Sequence, residues 1–148
     1  MKFQLIDTII EQAEDRIVAQ KSVTAAEEYL QDHFPTFPVV PGVMMIEALV
    51  QAGRRLLADR TGDPRYVLGE VRALRYGSFV RPGEILRVEV KIISEKDGEF
   101  KFKGEGRVIR PVDETDEGGS GLYGTLSESS NETAVSGRFT LRPLRSPK

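Results

Sequence analysis

Three polar side chains in a stretch rich in apolar residues and proline have types that suit proton transfer: His33, Glu47 and Gln51. From Val43 to Gly53 every other residue is apolar or glycine, a composition expected of a helix buried on all sides. Glu47 and Gln51 lie four apart, so on that helix they share one face. A carboxylate withdrawn from water without a partner protonates rather than stay charged. Glu47 is therefore expected to be either paired or a neutral acid at work. His33, the only histidine, is the titratable group suited to act beside it, across a connection bent by Pro35, Pro38 and Pro41. Taken singly, a lone histidine is more often a satisfied polar residue than a catalyst, whereas buried acids are rare unless paired. Gln51 reads as the group that holds the carboxyl, and Met44, Met45 and Ile46 read as core.

The elements that must position these groups follow from local pattern. Pro41 suits the first position of the long helix, which leaves Gly42 and Val43 to present unpaired N–H groups at the positive end of the helix dipole, where developing negative charge is stabilised. The helix is expected to leave the core at Arg54-Arg55 and to end between Asp59 and Gly62. Upstream, Leu5, Ile6, Ile9 and Ile10 are spaced for a short amphipathic helix over Leu5 to Glu11. Arg16 to Val23 reads as a strand, and Thr24 with Glu27 has the form of a capping box opening a helix over Thr24 to Gln31. That order puts His33 on a loop.

Downstream the chain reads as strands. Tyr66 to Tyr76 is one, with imperfect alternation that suggests a bulge, and Arg81-Pro82-Gly83-Glu84 has proline and glycine where a type II turn wants them. Leu86, Val88, Val90 and Ile92 alternate with polar residues, Asp97-Gly98 signals a tight hairpin, and the return strand puts Phe100, Phe102, Gly104, Gly106 and Val108 on one face. A last strand is expected over Val135 to Leu141. Between these, 111–133 is acidic and rich in glycine and serine, as an exposed insertion would be. Its Gly119, Gly121 and Gly124 match G-x-G-x-x-G without the strand and helix a dinucleotide site needs, and Asn131-Glu132-Thr133 matches the glycosylation pattern by accident. One helix with several antiparallel strands gives an α+β fold, a curled sheet around a central helix, in a single domain over 1–148.

Composition narrows the function. The 148 residues carry a net charge of −2, which gives no whole-chain drive toward nucleic acid or anionic membrane. Without cysteine and with one histidine, disulfides and multi-histidine metal clusters are excluded. No secretory signal and no run of membrane-spanning length is read, so a soluble, cytoplasmic protein is expected.

His33-Phe34-Pro35, then Pro38 to Val43, then Glu47-Ala48 and Gln51 resemble the active-site block of the hot-dog-fold 3-hydroxyacyl-acyl carrier protein dehydratases of the FabZ type. The similarity continues at Phe79-Val80-Arg81-Pro82-Gly83-Glu84 and Lys101-Phe102-Lys103-Gly104, covering most of Leu5 to Arg110. Two features depart from that pattern: Asp32 precedes His33 where the family usually has glycine, and Thr36-Phe37 is an unusual loop filling. An acid beside the imidazole favours the imidazolium, which bears on the pH optimum.

The resemblance implies a dimer, or a trimer of dimers, in which His33 of one subunit meets Glu47 of the other. It implies dehydration of a 3-hydroxyacyl thioester to the trans-2-enoyl thioester in fatty acid biosynthesis, with no cofactor. His33 would be the base, Gly42 and Val43 the thioester-oxygen donors, and protonated Glu47, held by Gln51, the acid. The partner would be an acidic acyl carrier protein bearing the substrate on phosphopantetheine, steered by a collar of Arg54, Arg55, Arg72, Arg75 and Arg81. The competing readings are a hot-dog acyl thioesterase, which would use the same helix-end donors without needing His33, and a non-catalytic acyl- or carrier-binding homologue.

Overall fold

A computed structural model of the chain describes residues 4–24, 39–110 and 132–144. In chain order the elements are strands β1 (Thr8–Gln12) and β2 (Arg16–Ser22), helix α1 (Gly42–Thr61), and strands β3 (Tyr66–Tyr76), β4 (Ile85–Lys96), β5 (Glu99–Ile109) and β6 (Glu132–Pro143). The strands form one six-stranded sheet in the order β1-β2-β4-β5-β6-β3, every neighbouring pair antiparallel. Helix α1 contacts β2 through β6, as expected of a curled sheet around a central helix.

Alternation explains the inward face. Leu86, Val88 and Val90 of β4 and Phe100, Phe102 and Val108 of β5 are buried against Leu49, Ala52, Leu56 and Leu57 of α1. Small residues set the distance between layers: a Cβ on Gly53 would lie 3.2 Å from Leu141 Cδ1, and one on Gly104 would lie 3.2 Å from Leu49 Cδ1. Phe102 and Phe139 stack with ring centroids 5.1 Å apart. The hairpin at Asp97-Gly98 has both residues at positive φ, 52° and 84°, as a type I′ turn requires. Gly83 at φ 91°, with the Glu84 N–H donating to the Arg81 carbonyl, closes the expected turn before β4. The β3–β6 pairing slips between Leu68 and Val71 and again between Arg72 and Arg75, which accounts for the imperfect alternation of β3.

Four expectations are corrected. The segment expected as a helix over Leu5 to Glu11 is instead extended, and its second half is strand β1. Its ladder to β2 slips between Ile9 and Glu11, so its apolar residues lost the alternation that would mark a strand. Pro41 is the residue before α1, extended at φ −62° and ψ 147°, rather than its first helical residue. The last strand runs from Glu132 to Pro143, so Glu132 and Thr133 belong to the sheet. Finally, α1 is not buried all round, because Val43 is 64% exposed. The helix expected over Thr24 to Gln31 and the insertion at 111–131 lie outside the described residues beyond Thr24.

Candidate active site

The first turn of α1 leaves two donors over. The Met44 and Met45 N–H groups both donate to the Pro41 carbonyl, at 2.9 and 3.3 Å. The Gly42 and Val43 N–H groups precede the first residue that can bond within the helix, and they face the open end. Over them lies Tyr76, the last residue of β3: a Cβ on Gly42 would come within 2.7 Å of its Cζ and 2.9 Å of its hydroxyl. Only glycine lets the ring lie this close. Tyr76 is itself 51% exposed, so the ring flanks the start of the helix at the surface.

Val43, Glu47, Gln51 and Arg54 follow one another at steps of four, four and three, so they form a stripe along α1. Gln51 Nε2 donates to Glu47 Oε2 at 3.3 Å, and Gln51 Oε1 accepts from the Leu5 N–H at 2.8 Å. The latter bond fixes the amide's orientation. Arg54 Nε donates to the Tyr66 carbonyl at 2.8 Å, while its other arm lies 3.5 Å from the same Glu47 Oε2. Both partners address one oxygen. Among the described residues nothing bonds to Glu47 Oε1.

Gln51 is hydrogen-bonded to Glu47. The sealed apolar setting expected for Glu47 is absent: in the single protomer its side chain is 41% exposed, because the stripe that carries it faces away from the sheet. Arg54 was missed as a partner of the acid. Its spacing was a usable signal, since seven residues from Glu47 is two helical turns along the same face. Tyr76 had no such signal, being brought to Gly42 only by the return of β3. His33, Asp32, Thr36 and Phe37 lie outside the described residues.

The other arginines of the expected collar make local contacts. Arg55 pairs with Asp59 one turn on, and the Arg81 backbone N–H donates to Glu84 in the turn before β4. Arg75 stands opposite Ser136. Arg72 pairs with Glu70 and shares a surface with Lys101 and Arg138. An open cleft of about 730 Å³ lies toward the other end of α1, lined by Gln12, Ala13, Glu14, Leu56, Asp59 and Arg60. Its polar groups are tied to one another, Gln12 to Asp59 and Arg60 to the Glu14 carbonyl, and Glu47 is not among them.

Among the described residues no group of acids and histidines is arranged to hold a metal, and no helix is long and apolar enough to cross a membrane.

Comparison with known proteins gives a consistent result. The ApeI-like family, described as ApeI dehydratase, matches residues 9–111. The 3-hydroxyacyl-[acyl-carrier-protein] dehydratase FabZ of Thermotoga neapolitana is 45% identical over 111 residues, 74% of this chain and 80% of that protein. Among solved structures, the dehydratase heterocomplex ApeI:P from Xenorhabdus doucetiae superposes with a TM-score of 0.66 at 16% identity, over 97% of this chain and 84% of the other. A thioesterase superfamily member from Thermus thermophilus superposes at 0.61 and 16%, over 87% and 80%. At such identities the structural likeness establishes the fold, the hot-dog arrangement, and the sequence likeness establishes the kinship.

Proposed function

This chain belongs to the ApeI-like, FabZ-type dehydratases, and from that premise we propose how its residues carry out the reaction. The activity is that of a hydro-lyase, dehydration of a 3-hydroxyacyl thioester to the trans-2-enoyl thioester in fatty acid biosynthesis. Loss of the C2 proton drives charge onto the thioester oxygen, so a site needs a base, donors for that oxygen, and an acid for the departing hydroxyl.

Neutral His33 takes the C2 proton, the Gly42 and Val43 N–H groups receive the thioester oxygen, and Glu47 protonates the 3-hydroxyl as it leaves as water. The observation that carries this assignment is the one-sided engagement of Glu47. Gln51 and Arg54 both address Oε2, so a proton on Oε1 leaves both bonds intact and points the acid at the unoccupied side. Arg54 thereby joins Gln51 as a positioning residue.

The site is completed by a second copy of the chain. Strand β3 is an edge of the sheet with Leu68, Val71, Leu74 and Tyr76 all more than a third exposed, and a long unpaired apolar edge is a template for strand addition. Pairing β3 with its counterpart brings the partner subunit against the open stripe of α1, which would seal Glu47 and supply His33. Two copies so joined form the dimer, with or without further assembly into a trimer of dimers. The substrate carrier is an acyl carrier protein, as in the names of the FabZ relatives, and the compartment is the cytoplasm.

Hydration of a crotonyl thioester, followed by loss of enoyl absorbance, tests the reading beside a free-thiol assay. Hydration without thiol release is expected. Thiol release would mark a thioesterase, and neither signal would mark a binding protein; both outcomes overturn the assignment.

A further inference from the structure

The connection that joins β3 to β4, residues 77–84, bonds to three stretches of chain that lead into the site. The buried Val80 accepts the Val40 N–H on its carbonyl at 2.9 Å, two residues before Gly42. The Gly83 N–H donates to the Val23 carbonyl at 2.8 Å, and the Val23 N–H to the Glu84 carbonyl at 3.0 Å, which fixes the chain just past β2. Directly after Tyr76, the Gly77 N–H donates to the Ala134 carbonyl at 2.8 Å and the Ser78 N–H to the Thr133 carbonyl at 2.9 Å. A Cβ on Gly77 would collide with that Thr133 carbonyl, so the connection lies hard against β6 and sets where the Tyr76 ring falls. Val23 and Val40 also flank the stretch of sequence that holds His33.

The connection is neither helix nor strand, and without a ladder of its own its shape rests on side chains. Arg110, the residue after β5, ties them together. Its Nε donates to Glu84 Oε2 at 2.8 Å, its Nη1 to Glu132 Oε1 at 3.0 Å, and its Nη2 lies 3.5 Å from the Phe79 carbonyl. Glu84 Oε1 in turn accepts the Arg81 N–H at 2.8 Å, and Ser78 Oγ donates to Glu132 Oε1 at 2.8 Å. One guanidinium thus reaches both ends of the connection. The task suits arginine, whose planar donors point in fixed directions. The side chains of Arg110 and Glu84 are 31% and 13% exposed, so their bond is screened less than a surface pair.

Arg16 is a contrast within the same chain. It also pairs with two acids, Glu11 and Glu89, but the strands it joins, β1, β2 and β4, already share ladders. Removing its charge takes away two ion pairs and leaves that backbone paired. Removing Arg110 instead frees the carboxylates of Glu84 and Glu132, on which the two ends of an irregular segment depend.

We propose that Arg110 is a positioning residue for the thioester-oxygen donors: by clamping Glu84 and Glu132 it holds the β3–β4 connection, and the Val80–Val40 bond and the Tyr76 ring carry that constraint to Gly42 and Val43. This role rests on the dehydratase reading for the reaction it serves. The thioester oxygen gains its charge as the C2 proton leaves, so donors slightly out of place weaken the transition state more than the bound substrate. The effect therefore falls on kcat rather than KM.

The test compares Arg110→Ala with Arg16→Ala in the full chain, by hydration of a crotonyl thioester. Arg110→Ala is expected to lower kcat by about tenfold to a hundredfold with KM within about twofold of the wild type, and methylguanidinium added to the assay is expected to restore part of the loss. Arg16→Ala is expected to keep the wild-type kcat. An unchanged kcat in Arg110→Ala, a loss that appears only in KM, or an equal loss of kcat in Arg16→Ala overturns the proposal. Should Arg110→Ala fail to fold, Glu132→Gln removes the charge from one arm of the clamp: a severalfold fall in kcat is expected, and a wild-type kcat overturns the proposal. Amide hydrogen exchange reads the clamp independently of chemistry. In Arg110→Ala the Val40 N–H should exchange about tenfold faster or more while the amides of the β4–β5 ladder keep their wild-type rates, and an unchanged rate at Val40 overturns the proposal. If the wild type hydrates nothing yet exchange at Val40 quickens in the variant, the dehydratase reading fails and the clamp stands.

Discussion

The two halves of α1 are built on opposite rules. From Ala52 to Leu57 the helix puts Ala52, Gly53, Leu56 and Leu57 into the sheet, each buried, and Gly62 closes its end in the left-handed conformation with its N–H on the Ala58 carbonyl. From Gly42 to Gln51 the same helix buries Met45, Ala48, Leu49 and Val50 on one side, and on the other leaves Val43, Glu47 and two first-turn N–H groups open. One end is organised for packing and the other for contact with something outside the protomer. If this division is real, substitutions at the open end should cost rate without stability, and substitutions at the sealed end should do the reverse.

The sharpest break would come at Glu47. Glu47→Gln keeps shape and hydrogen-bonding capacity but removes the transferable proton, so kcat should fall by about 10²- to 10⁴-fold with the Tm within a few degrees of the wild type. Mixing Glu47→Gln with His33→Ala should restore roughly a quarter of the wild-type rate, since half of randomly mixed dimers are hybrids and each hybrid holds one intact shared site. No restoration would place both groups in one subunit. At the sealed end, Leu56→Ala opens a cavity at a residue 1% exposed and should cost about 2–5 kcal/mol in denaturant unfolding. Its kcat per folded molecule should not change. A large loss of kcat there would dissolve the contrast.

The contrast was only partly legible in the sequence. Strands β4 and β5 could be read because each buries one face, so that Leu86, Val88 and Val90 or Phe100 and Phe102 alternate without interruption. Strand β1 could not: it is an edge strand whose ladder slips, and Ile9 and Ile10 side by side suit either a helix or a bulged strand. Gln51 and Glu47 were legible from their four-residue spacing. The exposure of Val43 and Glu47 was not, because apolar composition states what a face prefers to touch and not whether one chain provides it. Arg54 looked like a surface cation because charge alone does not reveal a carbonyl such as that of Tyr66 waiting across the fold.

Gly42 lies where the two rules meet. Gly42→Ala would put a methyl group against the ring of Tyr76, and that ring stands at a strand end with room to swing, so the fold should persist. The displaced ring and shifted donors should lower kcat by about tenfold to a hundredfold. Adding Tyr76→Ala should recover part of the loss if steric displacement is the cause. No recovery would mean that the methyl group itself obstructs the donors.

The smallest expected effect is at the other terminus, and it tests the contrast most directly because it touches the same helix. Gly62 has φ 81°, a conformation in which a Cβ is strained whatever space surrounds it, and nothing lies within 4 Å of where that Cβ would be. Gly62→Ala therefore adds backbone strain without a clash, and the helix can answer by fraying its last turn, where Thr61 Oγ1 donates to the Leu57 carbonyl. The cost should be about 1 kcal/mol, a fall of a few degrees in Tm. Because Leu56 and Leu57 still anchor the preceding turn in the sheet, the strain should not travel to Gly42 and Glu47, and kcat and KM should match the wild type. A drop in kcat from this remote, exposed position would mean that the helix moves as one rigid lever, and that its packed end sets the geometry of the open one.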